Sequence, residues 1–249
     1  LIEFDYDSLI TFMRCPLRYK FEYVNKIDTE KEGIKRFFSE TIHETIKHFY
    51  KTLKDEGVKL TQKQLHNFWG NLWLEDVDTE KIIYGNKSEK SKLTKKGYSY
   101  LNKFHRYNSS NSGTPIEVGL DYNINYMNKY KLSGNIELIR RTRVKLQIVN
   151  FSTSRYVPDE FRQKNDIRFT LNSYAFRQIF EKEEDETLYY HVRTNKKVPV
   201  YRGQNDYEKL LTIIDNVYKC IEEDLYYPRI SYLCKQCKFH DFCTAWKGQ

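Results

Sequence analysis

Ile116-Glu117-Val118-Gly119-Leu120-Asp121-Tyr122-Asn123-Ile124-Asn125-Tyr126 sets apolar residues against Glu, Gly, Asp and Asn at every second position. A period of two places the two sets on opposite sides of an extended chain, so the stretch reads as a half-buried β-strand. Asn128-Lys129-Tyr130 can turn the chain into a second strand over about 131–140. A third is expected over 144–152, with Val144, Leu146 and Ile148 sharing a face with Asn150 and Ser152. Beyond a polar loop the spacing becomes helical over 167–180, through Ile167, Leu171, Tyr174 and Ile179. Residues 186–193 read as a fourth strand, and Tyr207, Leu210, Ile214, Val217 and Ile221 mark an amphipathic helix. Three consecutive strands followed by helix, strand and helix make an α+β core.

Upstream of this core the chain reads as helical. Ser8 is expected to cap a short turn running to Met13, and Pro16 suits the first position of a helix reaching about Asn25. Residues 33–55 carry an apolar stripe of Ile34, Phe38, Ile42, Ile46, Phe49 and Leu53, and two more helices are expected near 61–74 and 89–107. The whole of 1–249 is read as one domain, with a helical part (1–110), the α+β core (111–228) and a terminal segment (229–249).

That terminal segment holds Cys234-Lys-Gln-Cys237-Lys-Phe-His-Asp-Phe-Cys243, three of the five cysteines, and Cys15 lies near the other end before Pro16. Four thiolates are what a [4Fe–4S] cluster or a structural zinc requires, and the spacing alone leaves both open. A site built from both ends would staple the chain into a loop. Five cysteines in 249 residues are neither dense nor even, which argues against a disulfide framework. Cys220 falls within a helical pattern and is read as a small buried hydrophobe.

Hydrophobic residues make up 39% of the chain, enough to fill a core. No apolar run approaches the roughly 18 residues that cross a bilayer, so no membrane partner is expected and the cytoplasm is the expected location. Basic residues outnumber acidic ones by 42 to 34, for a net charge of +8. Such an excess permits a polyanionic partner without demanding one. The lysine-rich run Lys87–Lys96 reads as a solvated helix face.

Three segments carry a family resemblance. Ser8-Leu-Ile-Thr-Phe-Met-Arg-Cys15-Pro16-Leu-Arg18-Tyr19, the helical Ile42-His43-Glu44 and the trio Cys234, Cys237 and Cys243 resemble motifs of the RecB-like branch of the PD-(D/E)XK nuclease superfamily. The resemblance is to its iron–sulfur subgroup, which includes AddB-type and CRISPR-associated exonucleases. It implies a mixed central sheet flanked by helices, an N-terminal helical region, and a [4Fe–4S] cluster on Cys15, Cys234, Cys237 and Cys243, with zinc as the alternative.

The resemblance also locates a catalytic centre whose residues have changed. Where the family strand reads G-x-I-D, this chain has Gly134-Asn-Ile136-Glu137; where the next reads D-x-K, it has Asn150-Phe151-Ser152; where the following helix reads Q-x3-Y, it has Thr170-Leu-Asn-Ser-Tyr174. Mg²⁺ favours carboxylates, so a site of His43, Glu137 and Asn150 is expected to bind Mg²⁺ or Mn²⁺ weakly if at all. Ser152 can neither carry the positive charge that stabilises a phosphorane nor assist the attacking water, and losing one such stabiliser costs on the order of 10²–10³ in rate. Lys145 faces away from Ser152 by the period of two, Arg155 sits in the following loop, and Glu117 matches a recurrent family glutamate. Without the motif, His43 would be a helix residue at the edge of the apolar stripe.

The resemblance therefore implies a DNA-binding protein of recombination, repair or CRISPR-type DNA processing with lost or much reduced nuclease activity. Its partners would be single-stranded DNA or DNA ends, with a helicase, nuclease or CRISPR-type protein beside it. The alternatives are an active metal-dependent DNA exonuclease with a rearranged site, and an interaction scaffold that binds no DNA.

Overall fold

Two compact units, each drawn from separated stretches of sequence, emerge from the packing of this computed structural model, which describes residues 1–27, 32–76, 82–83, 87–243 and 245. The smaller comprises 1–30, 122–134 and 204–249, and the larger 31–121 and 135–203.

In the smaller unit, strand β1 (Ile2–Phe4) leads into helix α1 (Tyr6–Arg14). Asp5 is the N-cap, its side chain accepting from Ser8 N at 2.7 Å while Ser8 Oγ accepts from Asp5 N at 3.0 Å. Ser8 is thus the far member of a reciprocal capping box, and the cap expected at Ser8 sits three residues earlier. Pro16 opens helix α2 (Pro16–Tyr19) as expected, and the helix continues as a π-helical turn over Lys20–Val24.

The larger unit starts with strand β2 (Glu32–Gly33) and helix α3 (Ile34–Glu56), which ends at Gly57 in the left-handed region. Helix α4 (Gln62–Asp76), strand β3 (Ile82–Ile83, parallel to β2) and helix α5 (Lys87–Asn111) follow. The expected stripe is buried from Ile34 to Phe49 and packs on Trp69, Trp73, Leu101 and Phe104.

Strands β4 (Thr114–Tyr126) and β5 (Tyr130–Arg141) begin the principal sheet, and each runs from one unit into the other. β1 pairs parallel with the start of β5. In the larger unit β5 pairs antiparallel with β6 (Leu146–Ser152). After helices α6 (Glu160–Lys164) and α7 (Ile167–Phe180), β7 (Glu186–His191) lies parallel to β6, with β8 (Lys196–Val200) antiparallel at its side. The sheet is therefore mixed. One face buries Leu138, Val149, Phe151, Leu188 and Tyr190 under α3–α5, and Phe169 of α7 packs with Tyr189 and Val200 on the other. Helix α8 (Gln204–Glu222), in the smaller unit, buries Tyr207, Leu210, Ile214 and Val217.

The third strand starts at Leu146, two residues later than expected. Thr142 N donates to Lys145 O at 2.8 Å and Thr142 Oγ1 accepts from Lys145 N at 3.0 Å, closing a tight turn that leaves Val144 83% exposed. Cys220 is half-buried on α8 and does not belong to the core. Among the described residues no helix is long and apolar enough to cross a membrane.

Candidate functional site

Helix α3 buries Ile42 and Ile46, and this fixes the neighbouring His43 at the margin of the helix's apolar face. His43 Nδ1 donates to Glu137 Oε1 on β5 at 2.5 Å, and Glu137 Oε2 accepts from the Phe151 amide on β6 at 2.8 Å. One carboxylate thus ties a helix to two strands. Both side chains keep about a quarter of their surface exposed, at 23% and 25%.

Burial pushes the His43 pKa down, but the charge and hydrogen bond of Glu137 outweigh it and leave the imidazole above its ordinary value. For Glu137 burial pushes upward, and His43, the Phe151 amide and Arg168 outweigh it and hold the carboxyl below its ordinary value. Each group thus favours the charged form of the other, and the Arg168 charge acts on both.

Asn150 is 2% exposed on β6. Its Oδ1 accepts from Asn172 Nδ2 on α7 at 2.7 Å, which leaves Asn150 Nδ2 as a donor, buried and without a partner. His43 Nε2 is likewise buried and unpartnered. Ser152 is half-buried and accepts from Ser154 N at 3.3 Å. Thr170 is buried and Tyr174 half-buried on α7, whose bond to Asn150 is made by Asn172 between them.

The possible replacements for a catalytic lysine make other contacts: Lys145 pairs with Glu186 at 2.5 Å, and Arg155 rests over the Tyr156 ring at 5.0 Å. Glu117, the further carboxylate the family pattern suggests, pairs with Lys54 at 2.7 Å on the surface. Arg168 and Asn172 were not anticipated. Asn172 lies inside the Thr170–Tyr174 segment, so the need of a buried Asn150 for a partner was the signal that could have found it.

The four cysteines near the two ends of the chain lie in the smaller unit. Leu17 N donates to Tyr227 O at 3.2 Å, Arg229 Nη1 to Met13 O at 2.8 Å and Lys238 Nζ to Glu22 at 2.8 Å, which draws the two terminal segments together. Cys15, Cys234, Cys237 and Cys243, all free thiols, line one cavity of about 240 Å³ with Arg14, Arg18, Arg229 and His240. The Arg229 amide points at Cys15 Sγ at 3.4 Å and the Ser231 amide at Cys234 Sγ at 3.3 Å. Among the described residues no three His, Cys, Asp or Glu side chains converge as a group that would hold a metal ion.

The sequence matches the family model of the PD-(D/E)XK nuclease superfamily over residues 6–244, and the chain belongs to that superfamily. No curated protein matches it significantly. Among solved structures, the crystal structure of SSO0001 is 14% identical, with 96% of this chain and 98% of that chain covered, at a TM-score of 0.37, a likeness too loose to define fold or function.

Proposed function

We propose that this protein binds DNA through a nuclease fold whose phosphodiesterase centre has lost its chemistry, and that its cysteine cavity holds a [4Fe–4S] cluster. The observation that carries the first part is the Asn150–Asn172 amide pair. A nuclease of this superfamily needs a cluster of anionic oxygens for Mg²⁺ or Mn²⁺. By the motif alignment a neutral amide stands at one such position, and the carboxylate of Glu137 already serves His43 and the Phe151 amide. A cation would compete with His43 and with the nearby Arg168 charge. The DNA-binding part rests on the net charge of +8 and on the nuclease superfamily to which the chain belongs.

The donor set supports the second part. Four thiols surround a volume rather than a point, basic side chains line it to offset thiolate charge, and backbone amides aim at two of the sulfurs. Zinc is the alternative occupant. A role in recombination, repair or CRISPR-type DNA processing, on single strands or ends and beside a helicase or nuclease, follows from the sequence motifs.

The test pairs cleavage with binding. Wild-type protein and Glu137→Ala, prepared identically, are incubated with Mg²⁺ or Mn²⁺ and labelled single- and double-stranded DNA, and oligonucleotide binding is titrated against salt. Negligible cleavage by both, with binding that falls steeply as salt rises, is expected. Robust wild-type cleavage that vanishes in Glu137→Ala would show a living nuclease. Absence of binding at low salt would favour the scaffold reading.

A further inference from the structure

At the far end of the β5–β6 hairpin from Ser152, the larger unit contains a polar cavity of about 890 Å³. Five cationic side chains line it, Arg140, Arg141, Arg143, Lys145 and Lys197, against a single carboxylate, Glu186. Gln147 and Glu186 leave the same side of β6 and β7 as Val149 and Leu188, whereas Asn150 and Ser152 leave the opposite side. The cavity is therefore distinct from the His43–Glu137 site.

Its charges do not balance internally. Lys145 takes Glu186 Oε2 at 2.5 Å, and Gln147 Nε2 donates to the other oxygen of that carboxylate. Arg140, only 3% exposed, finds neutral acceptors: Gln147 Oε1 at 2.9 Å, Tyr50 Oη at 3.1 Å and Ser112 O at 2.9 Å. The bond to Ser112 O lies just past the C-terminus of α5, so Arg140 offsets the negative pole of that helix. Lys197 Nζ is buried without a hydrogen-bond partner, over the rings of Tyr107 and Tyr190 at 3.0 and 4.6 Å from their centroids. Burial, then the charge of Arg140, pulls its pKa down to about 7. Arg141 and Arg143 are exposed at the rim, held there by the Thr142–Lys145 turn.

A concave surface with a surplus of basic side chains, the arginines among them permanently charged and Arg140 desolvated, is complementary to a compact multivalent anion, which would also favour the protonated form of Lys197. We propose that this cavity is a binding site for a phosphate-bearing ligand, with Arg141 and Arg143 gripping the phosphate oxygens at the rim and Arg140 and Lys197 supplying the positive field beneath. The room is that of a small-ligand pocket, enough for a nucleotide or for the terminal nucleotide of a strand.

Calorimetric titration of the full chain with ADP, inorganic phosphate, adenosine and a decanucleotide carrying either a 5′-phosphate or a 5′-hydroxyl tests this. Phosphate-dependent binding is expected, weakened at least about tenfold by the double substitution Arg141→Ala/Arg143→Ala. Both residues lie on the surface, so the variant should fold. Lys92→Ala/Lys95→Ala on α5, which removes the same charge from a solvated face, should bind like wild type. ADP binding alone identifies a nucleotide, preference for the 5′-phosphorylated strand identifies a nucleic-acid end, and equal binding of inorganic phosphate identifies the oxyanion itself. No binding by any phosphate probe, adenosine binding as tightly as ADP, or equal weakening in the Lys92/Lys95 control would overturn the proposal.

Discussion

Lys197 illustrates how one side chain links stability to pH. Its pKa is near 7 in the folded chain and about 10.4 in an unfolded one. Between those values the unfolded state binds more protons, so stability rises with pH; the penalty is fully present below about pH 7 and relieved toward pH 10. Lys197→Met removes the titrating group. Denaturation midpoints measured from pH 6.5 to 10 should favour the variant most at the acid end, with the gap from wild type closing as pH rises; a gap independent of pH would contradict this. Residues of the candidate site were legible to different degrees. His43 and Glu137 could be paired through motif order, because α3 and β5 deliver them from far apart in sequence. Asn172 was within reach only through the need of Asn150 for a partner, and Arg168 was not, because its role comes from the way α7 meets the sheet and local spacing carries no record of that contact.

At the scale of elements, the packing of α4 against α5 depends on one missing side chain. A Cβ on Gly97 would come within 2.2 Å of the Trp69 ring, which is fully buried and stacks on Trp73 with centroids 5.7 Å apart. Alanine is the better helix former by about 1 kcal/mol, but overpacking a rigid indole costs typically 1–3 kcal/mol. Gly97→Ala should therefore lose up to about 2 kcal/mol in urea denaturation, and a gain in stability would show that α4 and α5 can part at no cost. Long elements were legible because their periods repeat often enough to be counted, as in β4 and α3. Short ones were not. β1 has three residues, β2 and β3 have two each, α6 has five, and β8 includes Pro199 within five, so their existence rests on partners rather than on pattern.

For the molecule as a whole, the cysteine cavity decides whether the smaller unit is closed by packing alone. Anaerobically purified protein should contain iron and acid-labile sulfide, both lowered in Cys15→Ser, with a stability loss of about 3–5 kcal/mol on the scale of opening a long cross-linked loop. Stoichiometric zinc without sulfide would assign the cavity to zinc, and a protein with neither would leave the thiols structural. The same unit is assembled from 1–30, 122–134 and 204–249, whereas the larger is complete by residue 203. During translation, then, Cys15 is made well before Cys234, Cys237 and Cys243, and its cavity cannot exist until they have been added. Maturation of that site waits for the last of these cysteines, and until then Cys15 is a nascent-chain thiol exposed to oxidation.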